Sequence, residues 1–135
     1  MSQQENLETA RRFTEAIERG DMEAAARELA ARVEIDDQDI PDADGQDSFH
    51  TWIGRWNSAW GSWRVENAEF LAVGEDRVLS LFRMIVTGKG SGIELARDDA
   101  VLTEFRDGKI ARIGYYNDQE QARQAAGLAE GAARD

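Results

Sequence analysis

Cysteine is absent from the 135 residues. Disulfides, thiolate nucleophiles and cysteine-ligated zinc are therefore excluded, and the simplest compartment is a cytoplasm. Proline occurs once, at Pro41, and histidine once, at His50. No Ser-His-Asp arrangement, no glycine-rich phosphate loop and no His/Asp/Glu set with metal-ligand spacing is found, so neither a metal nor a cofactor is expected. Positive charge is also scarce. Lys and Arg number 16 against 27 Asp and Glu, a net charge of −11. Such a surface repels phosphate backbones and anionic lipid, which argues against nucleic-acid and membrane partners. No stretch approaches the roughly 18 apolar residues of a membrane span. The opening MSQQENLETARR lacks the apolar core of a signal peptide.

What is present is a globular composition, 41% hydrophobic, at a length that suits one domain. Residues 1–127 are read as that domain and 128–135 as a frayed tail. Leu7, Ala10, Phe13 and Ile17 recur at helical spacing. Gly20 stops this helix, and Asp21 caps a second one with Met22, Ala25, Ala26 and Leu29 on its apolar face. Residues 33–37 alternate as a short strand. An acidic loop, 38–47, follows. Its Asp42-Ala43-Asp44-Gly45 stretch fails the register of a calcium loop, which would put Ile40 first and Thr51 twelfth. A third helix from Asp47 or Ser48 to Trp60 carries Phe49, Trp52, Ile53, Trp56 and Trp60 on one side. Four long strands, 63–73, 76–88, 92–106 and 109–117, are divided by turns such as Asp107-Gly108. A helix from Asp118 to Ala126 closes the domain.

Helices followed by a meander make an α+β domain. The second long strand is apolar on both faces: Val78, Phe82, Met84 and Val86 on one, Leu79, Leu81 and Ile85 on the other. Such a sheet must be covered twice. The three N-terminal helices can cover one face, and too little chain is left for the other, so a homodimer through the sheet is predicted. Arg83, between Leu81 and Ile85, is expected to pair across it.

Four segments carry a resemblance to a known family: ARRFTEAIERGDMEAAARELA (10–30), ARVEIDD (31–37), VLTEFRDGKIARIGYYND (101–118) and NDQEQARQAAGL (117–128). In this order and spacing they resemble the SnoaL-like group of the nuclear transport factor 2-like superfamily. The resemblance implies a cone-shaped, strongly curved and mostly antiparallel sheet wrapped around three N-terminal helices, with a short C-terminal helix and a small-molecule pocket inside. It does not fix the activity, since the scaffold hosts isomerases, cyclases, epoxide hydrolases and non-catalytic binders. The three polar positions of ketosteroid isomerases fall on Phe13, Ile35 and Val101. A shift of one or two residues would bring in Asp36 or Asp37, and Asp99. Arg97-Asp98-Asp99 contains the Arg-x-Asp of limonene epoxide hydrolases, one strand later than that family places it. That family's second Asp falls near Tyr115.

Candidate site residues follow from alternation. Arg97 and Asp99 share a strand face with Leu95, Val101, Thr103 and Phe105. Two ionisable groups in an apolar stripe are either a pocket pair that orients a ligand and moves a proton, or a structural ion pair. Asp37 is in phase with Val33 and Ile35 and points inward, as a pocket acid or as a loop cap. Trp52 and Trp56 are an aromatic wall or plain core. One of Tyr115 and Tyr116 faces inward, and Tyr115 is taken as the ligand contact. The resulting expectation is a pocket for a hydrophobic metabolite. Asp99 and Asp37 are its candidate catalytic acids, and Arg97, Tyr115, Trp52, Trp56, Phe13 and Val101 its ligand contacts. The chemistry expected is isomerisation, cyclisation or hydration; the alternative is a non-catalytic binding or dimerisation module.

Overall fold

The computed structural model describes residues 2–37 and 48–128. Ser2 opens α1 (Gln3–Glu18) with a capping box: its hydroxyl accepts from the Glu5 backbone while the Glu5 carboxylate accepts from the Ser2 N–H. Asp21 caps α2 (Met22–Ala26) through the N–H of Ala24. The chain then enters β1 (Leu29–Asp37), α3 (Ser48–Ala59), β2 (Ser62–Val73), β3 (Arg77–Thr87), β4 (Glu94–Arg106), β5 (Lys109–Tyr116) and α4 (Gln119–Ala125).

The strands form one open sheet in the order β1-β5-β4-β3-β2. The β2–β3, β3–β4 and β4–β5 pairs are antiparallel, and β1–β5 is parallel. The β4–β5 hairpin turns on Asp107 and Gly108, both at positive φ (54° and 79°). That backbone matches the right-handed twist of the flanking strands and explains the Asp-Gly pair.

The helices α1, α2 and α3 pack on the inner face. Ala10, Phe13, Phe49, Trp52, Ile53 and Trp56 meet Val78, Phe82, Met84, Val86, Ile113 and Tyr115 there in one core. The buried Ser48 hydroxyl donates to the Val33 carbonyl (2.7 Å) and ties the start of α3 to β1.

The outer face departs from the expectation. Ala122 and Ala126 of the C-terminal segment bury Leu79, Leu81, Ala100 and Leu102 of β3 and β4 in a second small core. Chain thought too short to cover this face thus covers its apolar centre. Arg83 is exposed on that face and stands opposite Asp98 of its own sheet. The rest of the face carries ion pairs, Arg112 with Glu34 and Asp36, and Arg64 with Glu66 and Glu94. A second difference lies at α2, which ends at Ala26; Leu29 begins β1 instead of extending the helix. Pairing with Ile110 of β5 draws Leu29 into the sheet. The expected acidic loop, 38–47, and all but the first residue of the expected tail, 128–135, lie outside the described residues.

Candidate functional site

Register brings the candidate residues together. Tyr115 on β5 lies beside Asp37 of β1 on one side and Val101 of β4 on the other. Asp99 is two residues before Val101, on the same inward face, opposite Phe82. Tyr115 is therefore the inward tyrosine; Tyr116 packs on the outer core.

Asp99 is 0% exposed. Burying a lone carboxylate is costly, so its partners decide whether it can exist there. Arg97 supplies a bidentate pair, Nε to Oδ1 at 2.6 Å and Nη2 to Oδ2 at 3.0 Å. The Tyr115 hydroxyl donates to Oδ2 at 2.5 Å. The Gln119 side chain, at the start of α4, donates to the Asp99 backbone carbonyl at 3.0 Å. The Arg97 side chain is 43% exposed, so the pair runs from solvent to a sealed interior. Burial, then the adjacent Asp99 charge, then its hydrogen bond push the Tyr115 phenol far above its ordinary value. Tyr115 is consequently a neutral hydroxyl at physiological pH.

Asp37 is 5% exposed and forms a second polar centre. Its Oδ2 accepts from the indole N–H of Trp52 at 2.8 Å and of Trp56 at 3.2 Å. Trp52 and Trp56 are one helical turn apart, so a single carboxylate orients both rings. The rings in turn pack on Tyr115, with centroids 5.9 and 5.4 Å away, and Phe82 completes the cage at 6.0 Å. Among the described residues, no three His, Asp or Glu side chains gather as a metal site would. No described helix is long and apolar enough to cross a membrane.

Between these groups lies an apolar cavity of about 50 Å³, lined by Thr14, Ile17, Trp52, Ile53, Trp56, Trp63, Val65, Phe82, Met84 and Tyr115. Phe13 and Val101 stand behind this wall. Phe13 packs on Phe49 at 5.8 Å, and Val101 is half-buried beside Tyr115. A larger depression, about 590 Å³, lies among Arg32, Glu34, Glu104, Arg106 and Arg112 and touches none of Asp37, Asp99 or Tyr115.

Residues 10–113 match the family described as the SnoaL-like domain. The chain belongs to the SnoaL-like family. Its superfamily is the nuclear transport factor 2-like one. A candidate polyketide cyclase from Xanthomonas campestris pv. campestris is similar in structure to this SnoaL-like chain. Its TM-score is 0.76 at 22% identity, over 92% of this chain and 98% of that one. An NTF2-like protein of unknown function from Burkholderia pseudomallei superimposes with TM-score 0.72 at 22% identity, covering 92% and 97%. TerC, co-crystallised with polyporic acid, gives TM-score 0.73 at 19% identity, covering 91% and 98%. A sequence comparison with curated proteins returns no match. The SnoaL-like scaffold explains why the meander and helix order were legible. Three features escaped the sequence: Asp37 as acceptor for two tryptophans, Gln119 bracing β4, and the cavity wall from Thr14, Trp63 and Met84. A signal for the first existed. Two buried indoles at i and i+4 need an acceptor, and Asp37 was an inward-pointing carboxylate.

Proposed function

We propose that this SnoaL-like protein binds a small hydrophobic metabolite against Trp52, Trp56 and Tyr115 and performs cofactor-free acid–base chemistry on it through Asp99. The observation that carries this reading is the sealed Asp99 carboxylate, gripped by Arg97 on its solvent side and by the cavity-lining Tyr115 on the other. A ligand X–H would give its proton to the Tyr115 oxygen while the phenolic proton passes to Asp99 Oδ2. The reverse step returns a proton to the ligand. Because both transfers occur together, Tyr115 never becomes a free phenolate, in keeping with its raised pKa. Isomerisation, cyclisation and hydration all need such a reversible proton store. Asp37 is the second candidate acid, and its two indole bonds favour a role in holding the ring wall. The neighbours described as a candidate polyketide cyclase and as a complex with polyporic acid support the substrate class.

Two experiments test the reading. The neutral ketone 2-tetralone is titrated while tryptophan fluorescence is followed; saturable quenching that is weakened in Trp56→Ala is expected, and no response at millimolar ligand would sink the binding claim. For the chemistry, 2-tetralone in D2O is followed by NMR. The protein should accelerate exchange of the protons next to the carbonyl, and Asp99→Asn should lose that acceleration.

One observation favours the alternative, and within it a dimerisation module over a ligand binder. The cavity, about 50 Å³, is far below the roughly 300–1,000 Å³ of ordinary ligand pockets. Under that reading ligand leaves the fluorescence unchanged, and wild type and Asp99→Asn exchange tetralone equally slowly. Assembly and compartment belong to the same proposal. A homodimer would use the outer face around Arg112, where both charge signs can meet a two-fold copy; sedimentation at two concentrations tests it. A cytoplasmic location fits the absence of cysteine.

A further inference from the structure

A second hollow, about 240 Å³, opens beside the interior cavity. It is lined by Trp60, Met84, Val86, Leu95, Ala96 and Arg97. Met84 belongs to both walls, so the two spaces are neighbours across one side chain. Leu95 is 55% exposed at its edge. An exposed leucine and a half-buried tryptophan beside an arginine whose head is fixed form an amphipathic surface with, among the described residues, one charged side chain.

The charge state of that group sets what it accepts. The Arg97 guanidinium is held bidentate by Asp99, so its orientation is set before any ligand arrives and little side-chain freedom remains to be lost. Its positive charge is also already compensated by a sealed carboxylate. Asp37 adds a further negative charge close to Tyr115, and the protein as a whole carries −11. A ligand carboxylate here would give up its hydration against a neutral pair in a net negative field. An uncharged oxygen gives up far less and still receives a charge-assisted hydrogen bond.

We propose that this hollow is a specificity subsite that accepts uncharged, carbonyl-bearing apolar ligands and rejects their carboxylate counterparts, with Arg97 as the donor and Trp60, Met84 and Leu95 as the apolar grip. The proposal rests on the small-molecule reading above and narrows it to one substrate class.

Three probes with one ring system isolate the polar end: 2-acetylnaphthalene, 2-naphthoate and 2-ethylnaphthalene. Affinities for the full chain are measured by calorimetry. The ketone should bind about tenfold more tightly than the hydrocarbon, the size of one hydrogen bond to a charged donor. It should also bind at least about tenfold more tightly than the carboxylate. In Arg97→Gln the ketone's advantage over the hydrocarbon should fall severalfold. That variant uncovers Asp99 and can fail to fold, so Leu95→Asp, at an exposed position, gives an independent measure: ketone affinity drops severalfold with stability kept. Equal or tighter naphthoate binding overturns the proposal, as does ketone binding that ignores Leu95→Asp. If 2-tetralone quenches tryptophan fluorescence while none of the three probes binds, the subsite fails and the small-molecule reading stands. If nothing binds, both fail.

Discussion

Asp99 concentrates the energetics of the site in one side chain. Removing a partner from a sealed carboxylate is worse than never having buried it. Arg97→Leu is expected to cost about 3 kcal/mol or more, because it strips both bidentate bonds and the compensating charge. Tyr115→Phe removes one bond and should cost about 1–3 kcal/mol. Urea unfolding of both variants checks the order; a larger loss for Tyr115→Phe would mean that Arg97 adds little. For Asp37, Trp52 makes the shorter bond, so Trp52→Phe should destabilise more than Trp56→Phe. At this scale the sequence was readable in direction only. Alternation told that Asp37, Arg97 and Asp99 point inward. The Arg97–Asp99 pair lies within one strand and was open to that reading, whereas the meeting of Asp99 with Tyr115 and the placing of Asp37 beside it depend on β4–β5 and β1–β5 register, which no local pattern encodes.

Elements were more legible than contacts. The Asp107-Gly108 turn, the Asp21 cap and the i, i+4 spacing of the aromatics on α3 all act within a few residues, where sequence and conformation are directly linked. Gly108→Val places a β-branched residue at φ 79° and should lower stability by about 1–2 kcal/mol, whereas Gly108→Asn should be milder. Chemical denaturation of the pair checks this; equal losses would rule out backbone strain as the cause. The shortened α2 shows the limit. Its apolar spacing continues to Leu29, but a parallel strand contact with Ile110 outweighs a helix end of one turn. Likewise, α4 was foreseen as an element, while its docking on Leu79, Leu81, Ala100 and Leu102 was not. Small alanines gave no sign of how much sheet they would cover.

Over the whole molecule, pH reports on the sealed interior. The Tyr115 phenol has its pKa raised in the folded state above the unfolded value of 10.0. Below that value both states keep the proton, and the contribution is fully present. Above it the unfolded chain loses the proton first, so stability falls as pH climbs from about 10 toward the folded-state value. Denaturant midpoints between pH 8 and 11 should drop for wild type and drop less for Tyr115→Phe. Parallel curves would show that Tyr115 is not the group responsible. Net charge acts here as well. At −11 the chain repels itself, and moderate salt should raise the midpoint slightly.

The parallel pairing of β1 with β5 has a consequence for biosynthesis. Asp37 emerges from the ribosome 78 residues before Tyr115, yet the two are register partners. Everything between them must be made before that contact can close, and a closure of such long range is slow. The helices and the β2–β3–β4 meander can form first, leaving β1 without its neighbour and its edge open to other chains. A nascent chain halted before Lys109 should therefore be captured by chaperones and cut by proteases within β1, and release of the finished chain should end both.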